Sequence, residues 1–225
     1  MNIRSIPYIL FVAVLSVSIA YSVAIRAGHA DVAIADSADL IQPLGKGDPA
    51  PRFIVETADG EAFDFNPENL ERPVILLAFR GGWCPFCNMY LSDMRFAIPE
   101  IRKLGIDVLF LSGDRSDLLF STLKSETQED IAGLDYTLLS DADAQAAMAL
   151  GIAFKASQRT INGRHRKGQD IEGSSMMKHG VLPVPAVFAI DKQGQIQFAY
   201  TNANYKVRLP ADELMAAARA MAAAD

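Results

Sequence analysis

The chain has 225 residues, half of them hydrophobic, and a formal net charge of −6. Residues 1–30 hold Arg4 and Arg26 and no acid, so the remainder is more acidic still, which argues against nucleic acid or an anionic membrane surface as a partner of the body. Its 2 cysteines, Cys84 and Cys87, are too few and too close to form a disulfide framework.

Ile6 to Ile25 is an uncharged, mostly apolar run of twenty residues flanked by Arg4 and Arg26. Its length suits a spanning helix and exceeds the core of a cleaved signal. Small residues at Gly28–Ala30 and Ala33–Ala35 keep cleavage open as the alternative. Residues 1–26 are therefore expected to form a signal-anchor or a signal peptide. Either places the body outside the cytoplasm, membrane-anchored on the periplasmic side or secreted. Residues 27–50 are small, acidic and loop-rich, ending in Gly45-Lys46-Gly47-Asp48-Pro49-Ala50-Pro51, and read as a stalk or linker. Residues 51–225 are left for one domain with an ample core.

Within that domain, Arg52–Glu56 and Ala62–Phe65 flank Asp59-Gly60, a hairpin signal. Val74–Arg80 is a continuous apolar run, as in a buried central strand. From Pro85 to Leu104 the apolar residues keep helical spacing, with Pro99 expected to kink or restart the helix and Gly105 to end it. Ile106–Ser112 reads as a strand and Ser116–Ser125 as a short helix. A strand at Tyr136–Leu139 and a helix over Ala142–Leu150 follow. Ala186–Ile190 and Gln195–Tyr200 form a second hairpin, and Pro210–Ala224 a terminal helix. Strands alternating with helices imply parallel crossovers, and the hairpins add antiparallel edges. The class is α/β, a central mixed sheet covered on both faces. The basic, glycine-punctuated stretch 155–180 breaks the pattern. It reads as a solvated loop or, more sharply, as a flap that meets an acidic partner or substrate.

The chemistry lies in Trp83-Cys84-Pro85-Phe86-Cys87, between the central strand and its helix. Two residues between cysteines put both sulfurs on the first helical turn. Free N–H groups and the positive end of the helix dipole stabilise a thiolate there. Pro85 suits the first turn, where its missing N–H loses no bond. Cys84, at the mouth, is expected to be the more exposed, the lower in pKa and the attacker. Cys87, one turn in, is expected to resolve the mixed disulfide. Arg80 is a candidate source of positive charge, and Trp83 either shields the site or fills core. A zinc site needs four ligands, and only His29, His165 and His179 remain, so no metal is expected. Val184-Pro185 precedes the strand Ala186–Ile190. A central strand tolerates proline poorly, and a cis Val184–Pro185 bond would fit that position.

Taken together, the strand, Trp83-Cys84-x-x-Cys87, the long helix, the late Val184-Pro185 and the closing hairpin resemble a thioredoxin fold. The extra unit between about 127 and 182 is similar to the insertion of the peroxiredoxin (AhpC/TSA) branch. Phe79-Arg80-Gly81-Gly82-Trp83-Cys84-Pro85-Phe86-Cys87-Asn88 resembles the peroxiredoxin-like subgroup, as do Pro183–Ala186 and Asn204–Leu209. The resemblance implies a three-layer α/β/α thioredoxin-like fold over about 50–225. It implies a reversible Cys84–Cys87 disulfide with no cofactor beyond it, reset by an external thiol reductant such as a thioredoxin-like donor. Pro185 takes the cis-proline position, where Val184 lies beside the substrate. Typical members carry Thr or Ser three residues before the attacking cysteine and an Arg near the late strand. Here Gly81 and Pro185 stand in those places, leaving Arg80 or a basic residue of 155–180 as possible substitutes. Three readings remain open at this level: a thiol peroxidase acting on hydroperoxides, a membrane-tethered thiol-disulfide oxidoreductase acting on protein disulfides, and a non-catalytic interaction module.

Overall fold

The computed structural model describes residues 34–223. The apolar run 6–25 and the start of the expected linker lie outside the described residues. Among those described, no helix is long and apolar enough to cross a membrane.

Nine strands and six α-helices make up this part. Strands β1 (Phe53–Thr57) and β2 (Ala62–Phe65) form the first expected hairpin. The rest are β3 (Val74–Phe79), β4 (Asp107–Ser112), β5 (Thr137–Ser140), β6 (Ala153–Lys155), β7 (Val181–Pro183), β8 (Ala186–Ile190) and β9 (Ile196–Thr201). The main sheet has the order β2-β1-β5-β4-β3-β8-β9. β3, β4 and β5 run parallel, while β1 and β8 pair antiparallel to their neighbours. A separate ribbon, β6-β7, is also antiparallel.

Alternation along β3 explains the layers. Ile75, Leu77 and Phe79 pack to one side with helix α1 (Pro85–Lys103), whereas Val74, Leu76 and Ala78 pack to the other. A strand buried on both faces reads as an unbroken apolar run because each side chain has a core to enter. The first face is completed by Leu214, Ala218 and Met221 of α6 (Ala211–Ala222), and the second by Ala146 and Ala147 of α3 (Gln145–Ala149). This is the expected mixed α/β sheet between helical layers.

Several expectations are corrected. Pro99 does not divide α1, which runs unbroken from Pro85 to Lys103. Its neighbours Ala97, Ile98 and Ile101 are buried, and their packing holds the turn despite the lost backbone bond. The region Ser116–Ser125 is a tight turn at Ser116–Leu118, and the helix, α2, starts at Ser125 and ends at Ile131. The described part of the expected linker is docked on the body. Ala35 exchanges backbone hydrogen bonds with Ala153 and Lys155, and the Leu44 N–H donates to the Leu150 carbonyl at 3.1 Å. Gly151 lets Gln42 pass: its φ is +70°, and a Cβ there would stand 2.1 Å from the Gln42 oxygen. The basic stretch 155–180 is not a plain loop either. It contains α4 (Gln158–Arg166), capped by the Ser157 hydroxyl accepting from the Thr160 N–H, and α5 (Ser175–Lys178). Finally, no peptide bond among the described residues is cis, so Val184–Pro185 is trans. Pro185 stands just before the first paired residue of β8, where its missing N–H forfeits no ladder bond.

Candidate active site

Residues between β3 and α1 form a tight turn whose shape is set by glycine. Gly81 has φ +149°, and a Cβ on it would lie 2.4 Å from Trp83 Nε1 and 2.7 Å from Asp114 Oδ1. A Cβ on Gly82 would lie 2.2 Å from the Thr122 hydroxyl. No Thr or Ser side chain fits at position 81, so the departure from the usual pattern is a steric requirement of this turn.

Two buried polar residues hold the turn. The Asp114 carboxylate, at the end of β4, accepts from the Gly82 N–H at 2.7 Å, from the Thr122 hydroxyl at 3.2 Å and from the Trp83 indole N–H. Asn88 donates to the carbonyls of Gly82 at 2.6 Å and Cys84 at 3.0 Å, and accepts from the Lys124 N–H at 2.7 Å. Neither residue stood out in the sequence. Asp114 offers no spacing signal, and Asn88 entered only as the last residue of the stretch that carries the family resemblance.

Burial raises the Asp114 carboxyl to about 6, against the hydrogen bonds that favour its charge. The folded protein therefore holds this proton more tightly than the unfolded chain. The associated stability is present below the ordinary aspartate range and is lost as pH rises through about 6. Unfolding free energy should fall by about 2 kcal/mol on this account between pH 4 and 7. Asp114→Asn should flatten that slope in urea titrations at a series of pH values. An unchanged slope would exclude the assignment.

Cys84 is the N-cap of α1, followed by Pro85 in the first turn. Both cysteines are free thiols and each is 1% exposed, so the expected contrast in exposure between them is absent. What separates them is access: Cys84 lines a cavity of about 580 Å³, and Cys87 lies behind it. Their acidities separate in the expected sense. A hydrogen bond from the Cys87 thiol, opposed by burial and helped by the Arg80 and Arg208 charges, lowers Cys84 to about 6. Burial and the adjacent Cys84 charge push Cys87 up. Within the pair the thiolate is thus favoured on Cys84 over Cys87.

The cavity gathers Arg80, Trp83, Cys84, Pro85, Val184 and Pro185, all of which the sequence singled out. Arg80 is buried, with its guanidinium 5.4 Å from the Trp83 ring centre and 4.5 Å from that of Tyr205. Helix α4 covers the opening: Arg164 stacks 4.8 Å from the Trp83 ring, and Gln169, just beyond the helix, donates to the Trp83 carbonyl at 3.3 Å. The basic segment therefore supplies one wall of the cavity that Cys84 lines. Arg208 donates to Cys87 Sγ at 3.4 Å. Its role was missed, although it belongs to the Asn204–Leu209 block.

Comparison with known proteins agrees with this geometry. Peroxiredoxin Bcp of Escherichia coli is 29% identical over 141 residues, covering 62% of this chain and 86% of that protein. Thiol-disulfide oxidoreductase ResA of Bacillus thuringiensis is 24% identical over 150 residues, covering 67% of this chain and 66% of that protein. Among solved structures, the peroxiredoxin-like protein of Aquifex aeolicus matches with a TM-score of 0.59 at 18% identity, covering 80% of this chain and 89% of that one. Peroxidoxin BcpB of Mycobacterium tuberculosis matches with a TM-score of 0.53 at 17% identity, covering 79% and 98%. These likenesses establish the thioredoxin-like fold, and the relatives make the protein an oxidoreductase rather than a non-catalytic module. The profile of the AhpC/TSA family matches residues 46–199, and the chain belongs to that family.

Proposed function

We propose that the protein is a thiol peroxidase in which the Cys84 thiolate attacks the terminal oxygen of a hydroperoxide. The O–O bond breaks, an alcohol or water leaves with a proton, and Cys84 becomes a sulfenic acid. The Cys87 thiol then attacks the Cys84 sulfur, releasing water and closing the Cys84–Cys87 disulfide. Two equivalents of an external thiol reduce it again and leave as their own disulfide; a thioredoxin-like dithiol does the same once the cavity opens to admit it.

The observation that carries this reading is the burial of Cys84 at the floor of a small cavity beside Arg80 and Arg164. A small peroxide reaches such a thiolate, while the disulfide of a folded protein needs an open surface. The two guanidinium groups stand in for the missing hydroxyl at position 81 by stabilising charge that develops on the leaving oxygen.

Disulfide exchange is the second reading, favoured by the Cys-x-x-Cys pair itself and by the ResA relatives. Mixing the reduced protein with hydrogen peroxide, an alkyl hydroperoxide or a scrambled protein disulfide separates the two. Oxidation by peroxide at least a hundredfold faster than by the protein disulfide, with a sulfenate trapped on Cys84, is expected. Oxidation by the disulfide alone would overturn the proposal in favour of the second reading.

A further inference from the structure

We propose that the cavity above Cys84 binds a carboxylate, so that the small molecule meeting the thiolate carries an anionic head on an apolar body; this rests on the reading of Cys84 as the attacking group. The distribution of ion pairs points there. Arg52, Arg72, Arg95, Arg102 and Arg115 each pair with an aspartate. Arg80, Arg159, Arg164 and Arg166, which line the cavity with Lys167, pair with no carboxylate among the described residues. No Asp or Glu lines the cavity, in a chain whose net charge is −6. A protein with acid to spare leaves these five cations without a carboxylate, and only Arg80 among them faces the Cys84 sulfur.

Two of them also have unmet hydrogen-bonding capacity. The Nε atoms of Arg80 and Arg164 are buried without a partner, and Arg80 is only 8% exposed. Buried donors of this kind are normally satisfied, and carboxylate oxygens satisfy arginine best. Arg159, Arg166 and Lys167 are exposed at the rim, where they attract an anion before it docks.

Size and lining describe the rest of the ligand. At about 580 Å³ the cavity matches small-molecule sites and far exceeds hydrogen peroxide, which is only slightly larger than a water molecule of about 30 Å³. Phe86, Phe154, Val184 and Pro185 supply apolar wall. The same chemistry has two possible sources. One is an organic hydroperoxide with a carboxylate, which gives up its terminal oxygen to Cys84 and leaves as the alcohol. The other is a low-molecular-weight thiol with carboxylates, two molecules of which reduce the Cys84–Cys87 disulfide and leave as their own disulfide.

Trp83, the only tryptophan, lines the cavity and reports occupancy without turnover. Octanoate and 1-octanol should be titrated against the full reduced chain by Trp83 fluorescence. Octanoate should bind about tenfold tighter, and Arg164→Gln, which removes one of the two buried unpaired donors, should bring the two close together. Equal binding, or a preference that survives Arg164→Gln, would overturn the anion site. Two pairs of probes then name the source: a fatty-acid hydroperoxide against its methyl ester in oxidising the pair, and glutathione against its diethyl ester in reducing it. An acid-over-ester preference of about tenfold in one pair supports the proposal and identifies the co-substrate, and none in either overturns it. Inertness to both hydroperoxides with the octanoate preference intact sinks the peroxidase reading and leaves the anion site to the thiol. Oxidation by both at equal rates with no octanoate preference does the reverse.

Discussion

Cys84→Ser should abolish oxidation of the protein by hydroperoxide, by at least about a thousandfold, because a serine hydroxyl at neutral pH offers no comparable nucleophile. Cys87→Ser should behave differently. Its first oxidation should survive but stop at a sulfenic acid on Cys84, open to over-oxidation because no thiol closes the disulfide. Cys87→Ala should in addition become slower in mildly acid solution. The Cys87 thiol is the leading cause that holds Cys84 near 6, and alanine, unlike serine, leaves no donor, so the Cys84 pKa rises and the thiolate fraction at pH 6 falls. Rapid-mixing oxidation rates for the variants between pH 5 and 8, with mass analysis of Cys84, check this. A Cys87→Ser protein that turns over repeatedly would remove the resolving role, and an unchanged pH midpoint in Cys87→Ala would remove the hydrogen bond as the cause.

Gly81→Thr would bring the sequence closer to the usual peroxiredoxin pattern, and it should fail. The backbone at φ +149° disfavours any side chain, and the new Cβ would meet the Trp83 indole and the Asp114 carboxylate well inside contact distance. A loss of about 3 kcal/mol or more in stability and at least tenfold in oxidation rate is expected. Chemical denaturation together with peroxide oxidation reads both. Wild-type stability with faster peroxide turnover would show instead that the turn can open, and that the missing hydroxyl had limited the reaction.

Much of the scaffold was legible in the sequence because its causes are local. The run Val74–Phe79 is apolar at every position, and only a strand buried on both faces uses such a pattern. The cysteine pair with Pro85 marked the helix start for the same reason, since proline and the capping turn act within a few residues. Helix α4 was hidden. It has no buried residue, and what fixes it is the Ser157 cap and the stacking of Arg164 on an indole eighty residues earlier. The equal burial of Cys84 and Cys87 was illegible for a related reason. Exposure at a helix start depends on what covers it, and the cover comes from a segment whose composition suggested solvent. Asp114 was silent because its partners, Gly82, Trp83 and Thr122, come together only when β3 and β4 pair.

The burial of both sulfurs also separates kinetics from equilibrium at this site. A dithiol open to solvent drifts toward the poise of its compartment by exchange with every disulfide it meets. Here both sulfurs are buried behind α4 and a wall of aromatic rings, which should slow that traffic. Its oxidation state should then record which molecules have passed through the cavity, on the timescale of their entry and exit. The pair would behave as a counter of admitted oxidant rather than as a gauge of ambient potential.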